Sequence, residues 1–156
     1  MSEAVDELRD LYQEVILDHG RRPRNCHAMT DATATAEGNN PMCGDRLTVY
    51  LKTGSDGCIE DVSFEGRGCA ISMASASMMT EMLRGKSEAE AETLFAAFRR
   101  LITEGVSDEA GPDSEIDRLI VLSGVRQFPS RVKCATLAWH AFDAALHGRG
   151  ETVTTE

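Results

Sequence analysis

The sequence predicts an α+β fold, a three-stranded antiparallel sheet with helices packed on one face, and three observations carry that expectation. Leu47, Val49 and Leu51 alternate with Thr48, Tyr50 and Lys52, the period of a half-buried strand. Gly54-Ser55-Asp56-Gly57 supplies the positive-φ residues of a hairpin turn into a further run from Cys58 to Glu65. Elsewhere the apolar residues recur at three- and four-residue steps, the period of amphipathic helices.

The elements follow in order. Val5, Leu8, Leu11, Tyr12, Val15 and Ile16 lie on one face of a helix from Glu3 to Asp18, which Gly20 ends. Arg21-Arg22-Pro23-Arg24-Asn25 follows as a basic turn, because Pro23 cannot continue a helix. Ala32 to Ala36 alternates small and β-branched residues and forms the first strand. In the third, Cys58, Val62 and Phe64 share the core face. Gly66-Arg67-Gly68-Cys69 breaks that strand and opens a helix from Ala70 to Leu83, rich in small residues and methionines. Ser87-Glu88-Ala89-Glu90 is a capping box, and Ala91, Leu94, Phe95, Phe98, Leu101 and Ile102 form the stripe of the helix behind it. A short helix spans Ser114 to Leu122, and Ser130 caps a last one from Arg131 to Leu146. Residues 1–148 make one domain, with 149–156 a flexible C-terminal tail.

Charge and composition exclude several classes of function. Among 156 residues, 16 are Lys or Arg and 26 are Asp or Glu, a net charge of -10 that disfavours nucleic acid and anionic membranes as partners. The longest uncharged stretch, residues 68–80, is too short to span a bilayer. The N-terminus is acidic, unlike a signal peptide, so the expected location is cytoplasmic. Five cysteines, an odd number without an export signal, argue for metal or thiol chemistry over a disulfide framework.

Three of the five stand at reactive places. Cys43 lies in the loop Asn40-Pro41-Met42-Cys43-Gly44-Asp45, Cys69 at a strand-to-helix turn and Cys134 near the start of the last helix. Unpaired N–H groups at a helix start favour a thiolate, as a metal ligand or nucleophile requires. Asp45 adds an oxygen, and three sulfurs with one carboxylate suit tetrahedral zinc, while cysteine-rich sites equally suit iron-sulfur clusters. No CxxC pair reinforces either, and free cysteines also serve as buried apolar residues. Cys58 falls on a core parity and Cys26 beside His27 completes no ligand spacing, so both are assigned to packing. Gly66-x-Gly68 lacks the remaining residues of a nucleotide-binding loop, and no Ser-His-Asp order or HExxH element supports hydrolysis.

Four segments in this order resemble the U-type iron-sulfur assembly proteins over nearly the whole chain. They are Tyr12 to His19 running into Pro23-Arg24-Asn25, Asn40 to Asp45, Gly66 to Met79, and Arg131 to Trp139. The chain resembles the SufU branch in particular: Lys133 stands where scaffold-type members carry a histidine, Phe128 to Lys133 replaces a Leu-Pro-Pro-Val-Lys chaperone signal, and extra residues lie between about 103 and 127. The resemblance implies a metal held by Cys43, Asp45, Cys69 and Cys134, with Zn²⁺ as the cofactor and iron or a [2Fe-2S] cluster as the alternative. It implies zinc-dependent sulfur transfer, in which Cys43 accepts persulfide sulfur from a pyridoxal-phosphate cysteine desulfurase of SufS type and passes it to a downstream iron-sulfur scaffold. Assembly of a [2Fe-2S] cluster on the same ligands is the alternative activity. Arg131, three residues before Cys134, is placed to neutralise the site and is counted with Cys43 as a catalytic candidate. Asp18-His19 and the turn from Arg21 to Arg24 are expected to form part of the desulfurase-docking surface.

Overall fold

The computed structural model describes residues 13–41, 44–104, 119, 122, 125, 129–148 and 153–154. A helix over residues 13–21 (α1) is followed by strands Ala34–Asn40 (β1), Asp45–Thr53 (β2) and Ile59–Arg67 (β3). Helices Ala70–Leu83 (α2), Glu88–Glu104 (α3) and Pro129–Leu146 (α4) come next, then the two-residue strand Val153–Thr154 (β4). β1, β2 and β3 form the expected antiparallel meander. Where a tail is expected, β4 pairs in parallel with Gly38 and Asn39 of β1, giving the order β3-β2-β1-β4.

Burial explains which face the helices cover. On β2, Asp45, Leu47, Val49 and Leu51 point inward and Arg46, Thr48, Tyr50 and Lys52 outward. On β1, Ala36, Gly38 and Asn40 are the inward set. α4 packs across β1 and β2, α2 lies beside it over β3, and α3 packs on α4. The core between them is fully apolar at Leu47, Val49, Phe64, Met79, Phe98 and Phe142. Burying such side chains contributes about 1.5–3 kcal/mol each against leaving them in water. The stripe expected on α3 is the buried face of that helix. Its cap is reciprocal, with Ser87 N donating to Glu90 Oε1 and Glu90 N to Ser87 Oγ, both at 3.2 Å.

Several boundaries differ from expectation. α1 runs one residue past Gly20, Arg22 N still donating to Asp18 O at 2.8 Å. β1 starts later and runs to Asn40, so Asn39 and Asn40 are strand residues. β3 begins after Cys58, which is half-buried and bridges to Ser87. The cause is a bulge. Lys52 pairs with Asp61 but Thr53 with Ile59, so Glu60 is the extra residue and Ile59 takes the core position that simple alternation would give its neighbours. α4 starts at Pro129, since proline suits the first helical position, where the missing N–H would have no partner. The first turns of the expected N-terminal helix and most of the region from 105 to 128 lie outside the described residues, although Leu119, Leu122 and Val125 are buried in the core.

Two polar links hold the helices in place. Trp139 Nε1 donates to Ser75 Oγ at 3.0 Å, and Ser75 Oγ donates in turn to the Ala135 carbonyl, so the α2–α4 contact is fixed one residue from Cys134. The indole sits between Phe95, with centroids 6.0 Å apart, and Phe98, at 4.8 Å. The end of α1 and the basic turn dock on α2 through Ser77. Arg24 N donates to Ser77 Oγ at 2.9 Å, and His19 Nδ1 lies 2.7 Å from the same oxygen. Asn25, at φ 57°, donates from Nδ2 to Thr80 Oγ1 at 3.1 Å.

Burial pushes the His19 pKa below its ordinary value of 6.5, with Arg24 acting in the same direction against Glu81 and Asp18. A folded pKa below the unfolded one means that this contribution to stability is complete above 6.5 and is lost as pH falls through the folded value. In neutral His19 the ring proton belongs on Nε2, toward Glu81 Oε1 at 4.0 Å, leaving Nδ1 to accept from Ser77. An NMR titration should find His19 half-protonated below pH 6.5, with Arg24 amide exchange rising over the same range. A His19 pKa above its ordinary value would contradict this.

Candidate metal centre

The strands and helices bring three of the four predicted ligands together from distant parts of the chain. Asp45 opens β2 on its inward parity, Cys69 precedes α2, and Cys134 lies in the second turn of α4. One carboxylate oxygen of Asp45 and the two sulfurs all lie within 4.8 Å of one another. Ligand atoms about 2.0–2.3 Å from a tetrahedral ion stand about 3.3–3.8 Å apart, so small side-chain rotations would close this set on a metal. The donor chemistry, two soft thiols and a hard carboxylate, also fits zinc. Cys43, the remaining predicted ligand, lies outside the described residues.

Each of the three is held by a donor. Asp45 is fully buried, and its Oδ1 accepts the Cys69 backbone N–H at 2.8 Å, which leaves Oδ2 facing Cys69 Sγ at 3.9 Å. Cys69 is itself the N-cap of α2, its sulfur accepting from Ser72 N at 3.4 Å. A cysteine there completes a helix end that serine or aspartate would usually cap. Cys134 is fully buried, and the Asn40 amide donates to its sulfur at 3.8 Å.

Two glycines make the Asp45–Cys69 contact possible. Gly66, at φ 143°, turns β3 in a conformation that side chains rarely adopt, and a Cβ there would collide with the Arg46 carbonyl. Gly68 has no unusual φ, but its Cβ would stand 2.6 Å from Asp45 Oδ1. The Gly-x-Gly-Cys run is thus a slot for the carboxylate.

The other sequence candidates lie elsewhere. Cys26 is exposed, bridged to Phe64, and partial burial with the nearby Glu65 pushes its thiol pKa up. Asp56 does the same to Cys58. Raised thiol pKa values suit neither nucleophile nor ligand. Arg131 and Lys133 are exposed in the first turns of α4. Of the methionines of α2, which the sequence suggests as core filler over ligands, Met78, Met79 and Met82 are core residues and Met73 is half-buried against them. A second group, Glu88, Glu92 and His147, also converges within 4.8 Å but is fully explained by ion pairing. His147 Nε2 lies 2.7 Å from Glu92, and the Asp143 carbonyl with Glu92 holds the His147 pKa above its ordinary value.

Sequence reasoning treated Asn40 as a loop residue and so gave it no role. The signal was parity: with Ala36 and Gly38 inward, a strand continued to residue 40 places Asn40 inward too.

Residues 11–148 match the model of the NifU-like N-terminal domain. The chain is 41% identical over 143 residues to an iron-sulfur cluster assembly scaffold protein, IscU, of Streptococcus pyogenes serotype M1, covering 92% of this chain and 87% of the relative. It is also 41% identical over 139 residues to a zinc-dependent sulfurtransferase, SufU, of Bacillus subtilis strain 168, covering 89% and 91%. A candidate iron-sulfur cluster assembly scaffold for the SUF system of Fervidobacterium islandicum AW-1 superposes with a TM-score of 0.75 at 33% identity, over 88% of this chain and 98% of that one. With a family match over nearly its whole length and a ligand-like cluster drawn from three of the four segments that suggested it, the chain belongs to the NifU-like N-terminal domain family.

Proposed function

We propose that this chain is an iron-sulfur cluster assembly protein of the IscU/SufU type that binds zinc through Cys43, Asp45, Cys69 and Cys134 and accepts sulfur on Cys43. The observation that carries the reading is the convergence of Asp45, Cys69 and Cys134 from three separate elements. The equal identity to a sulfurtransferase and to a scaffold supports the general class, and Lys133 in place of a histidine favours sulfur transfer. A bound zinc would keep the waiting thiols deprotonated.

The residues divide the work. Asp45, held by the Cys69 N–H, presents its second oxygen; Cys69 and Cys134 are anchored at helix starts. Cys43 belongs in sequence to the Pro-Gly loop between β1 and β2 and is the acceptor. Its thiolate attacks the outer sulfur of a persulfide on a pyridoxal-phosphate cysteine desulfurase of SufS type. A bond forms between Cys43 Sγ and that sulfur while the donor's S–S bond breaks, and the electron pair leaves on the desulfurase cysteine as a thiolate. Sulfur moves with no net oxidation, and Cys43 then holds a persulfide for a downstream iron-sulfur scaffold. Three thiolates and one carboxylate with Zn²⁺ sum to about minus two. Arg131, exposed one turn before Cys134, offsets part of that charge. The α1 end and the basic turn from Arg21 to Arg24, tied to α2 by Ser77, form part of the docking surface. The activity belongs in the cytoplasm, in one domain over residues 1–148.

The second reading, a scaffold that builds a [2Fe-2S] cluster on the same ligands, is favoured by the relatives named as scaffolds. The two differ on purification from cells supplied with iron and zinc. A colourless protein with one zinc that accelerates a cysteine desulfurase fits sulfur transfer, and a brown one with visible charge-transfer bands fits the scaffold.

Two substitutions test the assignment. Cys43→Ala should abolish sulfur uptake from desulfurase and cysteine, seen by mass spectrometry as loss of the added sulfur on the Cys43 peptide. Unchanged transfer by the variant would sink the acceptor role. Gly68→Ala should push Asp45 away and weaken zinc binding about 10- to 100-fold, the usual effect of disturbing a ligand's support. The far-UV spectrum of the metal-free variant should be unchanged, because Gly68 needs no special φ. Wild-type zinc affinity in Gly68→Ala would remove Asp45 from the ligand set.

A further inference from the structure

Among the buried polar side chains, Asn40 is aimed at the site yet has no part in the proposed chemistry. Asn40 is fully buried at the end of β1, directly opposite Asp45 in the β1–β2 register. Residues directly opposite on antiparallel strands point to the same face with Cβ atoms about 4.5–5.5 Å apart. Asn40 therefore stands beside the Asp45 carboxylate on the inward side of the sheet, and its Nδ2 donates to Cys134 Sγ at 3.8 Å. Burying an amide is costly unless its hydrogen bonds are made, and Cys134 Sγ is a partner that takes one of its N–H groups.

The donors to the two described sulfurs differ in kind. Cys69 Sγ accepts from the Ser72 backbone, which any residue but proline at that position would supply. Cys134 Sγ accepts from the Asn40 side chain, which one substitution removes. An N–H directed at a thiolate withdraws charge from it. The sulfur becomes a weaker nucleophile, and its position is fixed relative to the carboxylate beside it.

We propose that Asn40 is a positioning residue of the metal centre: its amide N–H holds Cys134 Sγ as a fixed, poorly nucleophilic ligand, so that thiol chemistry at the site falls to another cysteine. The inference rests on the metal reading of this cluster and is independent of sulfur transfer. Asn40 acts through Cys134 and touches no reacting atom.

The most direct readout uses the wild-type chain loaded with ¹¹³Cd and labelled with ¹⁵N. A hydrogen bond from Asn40 to a cadmium-bound sulfur should give a scalar coupling between the Asn40 amide proton and ¹¹³Cd. Asn40→Asp, which keeps the shape but replaces the donor by an acceptor, and Asn40→Ala should each lose zinc to a chelator about 10- to 100-fold faster. In the cobalt-loaded variants the thiolate-to-metal charge-transfer band should move to longer wavelength, since an unbonded sulfur gives up charge more easily. Iodoacetamide should then label Cys134 faster in the zinc-loaded variants. An absent coupling in a chain that binds cadmium, or variants with wild-type zinc release and cobalt spectrum, would overturn the role of Asn40 alone. A chain that takes up neither cadmium nor zinc would overturn the metal reading and this inference with it. The coupling is measured without mutation, so it decides the matter even where a variant fails to fold.

Discussion

The hydrogen bond from the Cys69 backbone N–H to the buried Asp45 carboxylate is the contact on which the rest of the site depends. It joins the first residue of β2 to the N-cap of α2, two points 24 residues apart in sequence. It also stabilises a carboxylate inside a protein core, where an unsupported charge would be expensive. Gly68 provides the room for this oxygen and Gly66 the turn that brings the backbone to it.

The remaining architecture serves to bring Cys134 to the same place. α4 crosses β1 and β2, and its position is set by Trp139, whose indole packs on Phe95 and Phe98 while its N–H reaches Ser75 of α2. Ser75 then bonds the Ala135 carbonyl, next to Cys134. The fold thus places this helix–helix contact beside Cys134. Elements that meet at the site carry the candidate ligands, and elements that pack behind it set their separation, which is how a ligand set should be supported. The acidic chain keeps exposed cations next to this end of the fold, at Arg46, Arg67, Arg131 and Lys133.

Much of this was legible in the sequence, for identifiable reasons. The α3 stripe, the β2 alternation and the Asp-Gly hairpin are local signals, and local signals survive folding. The choice of Cys69 and Cys134 over Cys26 and Cys58 rested on local context too: helix starts favour thiolates, Cys58 was read on a core parity, and Cys26 beside His27 completed no ligand spacing. Cys58 was given a core position because simple alternation was extended through Glu60, and a bulge is set by strand pairing, which no single run of residues displays. Asn40 was hidden for a similar reason: an Asn-Asn-Pro sequence reads as a loop, yet pairing with Asp45 and Arg46 keeps both asparagines in the strand. The parallel pairing of Val153 and Thr154 with β1 is a tertiary contact with no periodic signature in two residues.

The central claim is a site of three sulfurs and one oxygen built from Cys43, Asp45, Cys69 and Cys134. X-ray absorption at the zinc edge of the zinc-loaded chain tests it most directly. The account predicts three sulfur scatterers at about 2.3 Å and one oxygen at about 2.0–2.2 Å, with the oxygen shell changed in Asp45→Ala and one sulfur missing in Cys43→Ala. A four-sulfur shell, or a shell of nitrogen and oxygen alone, would contradict it.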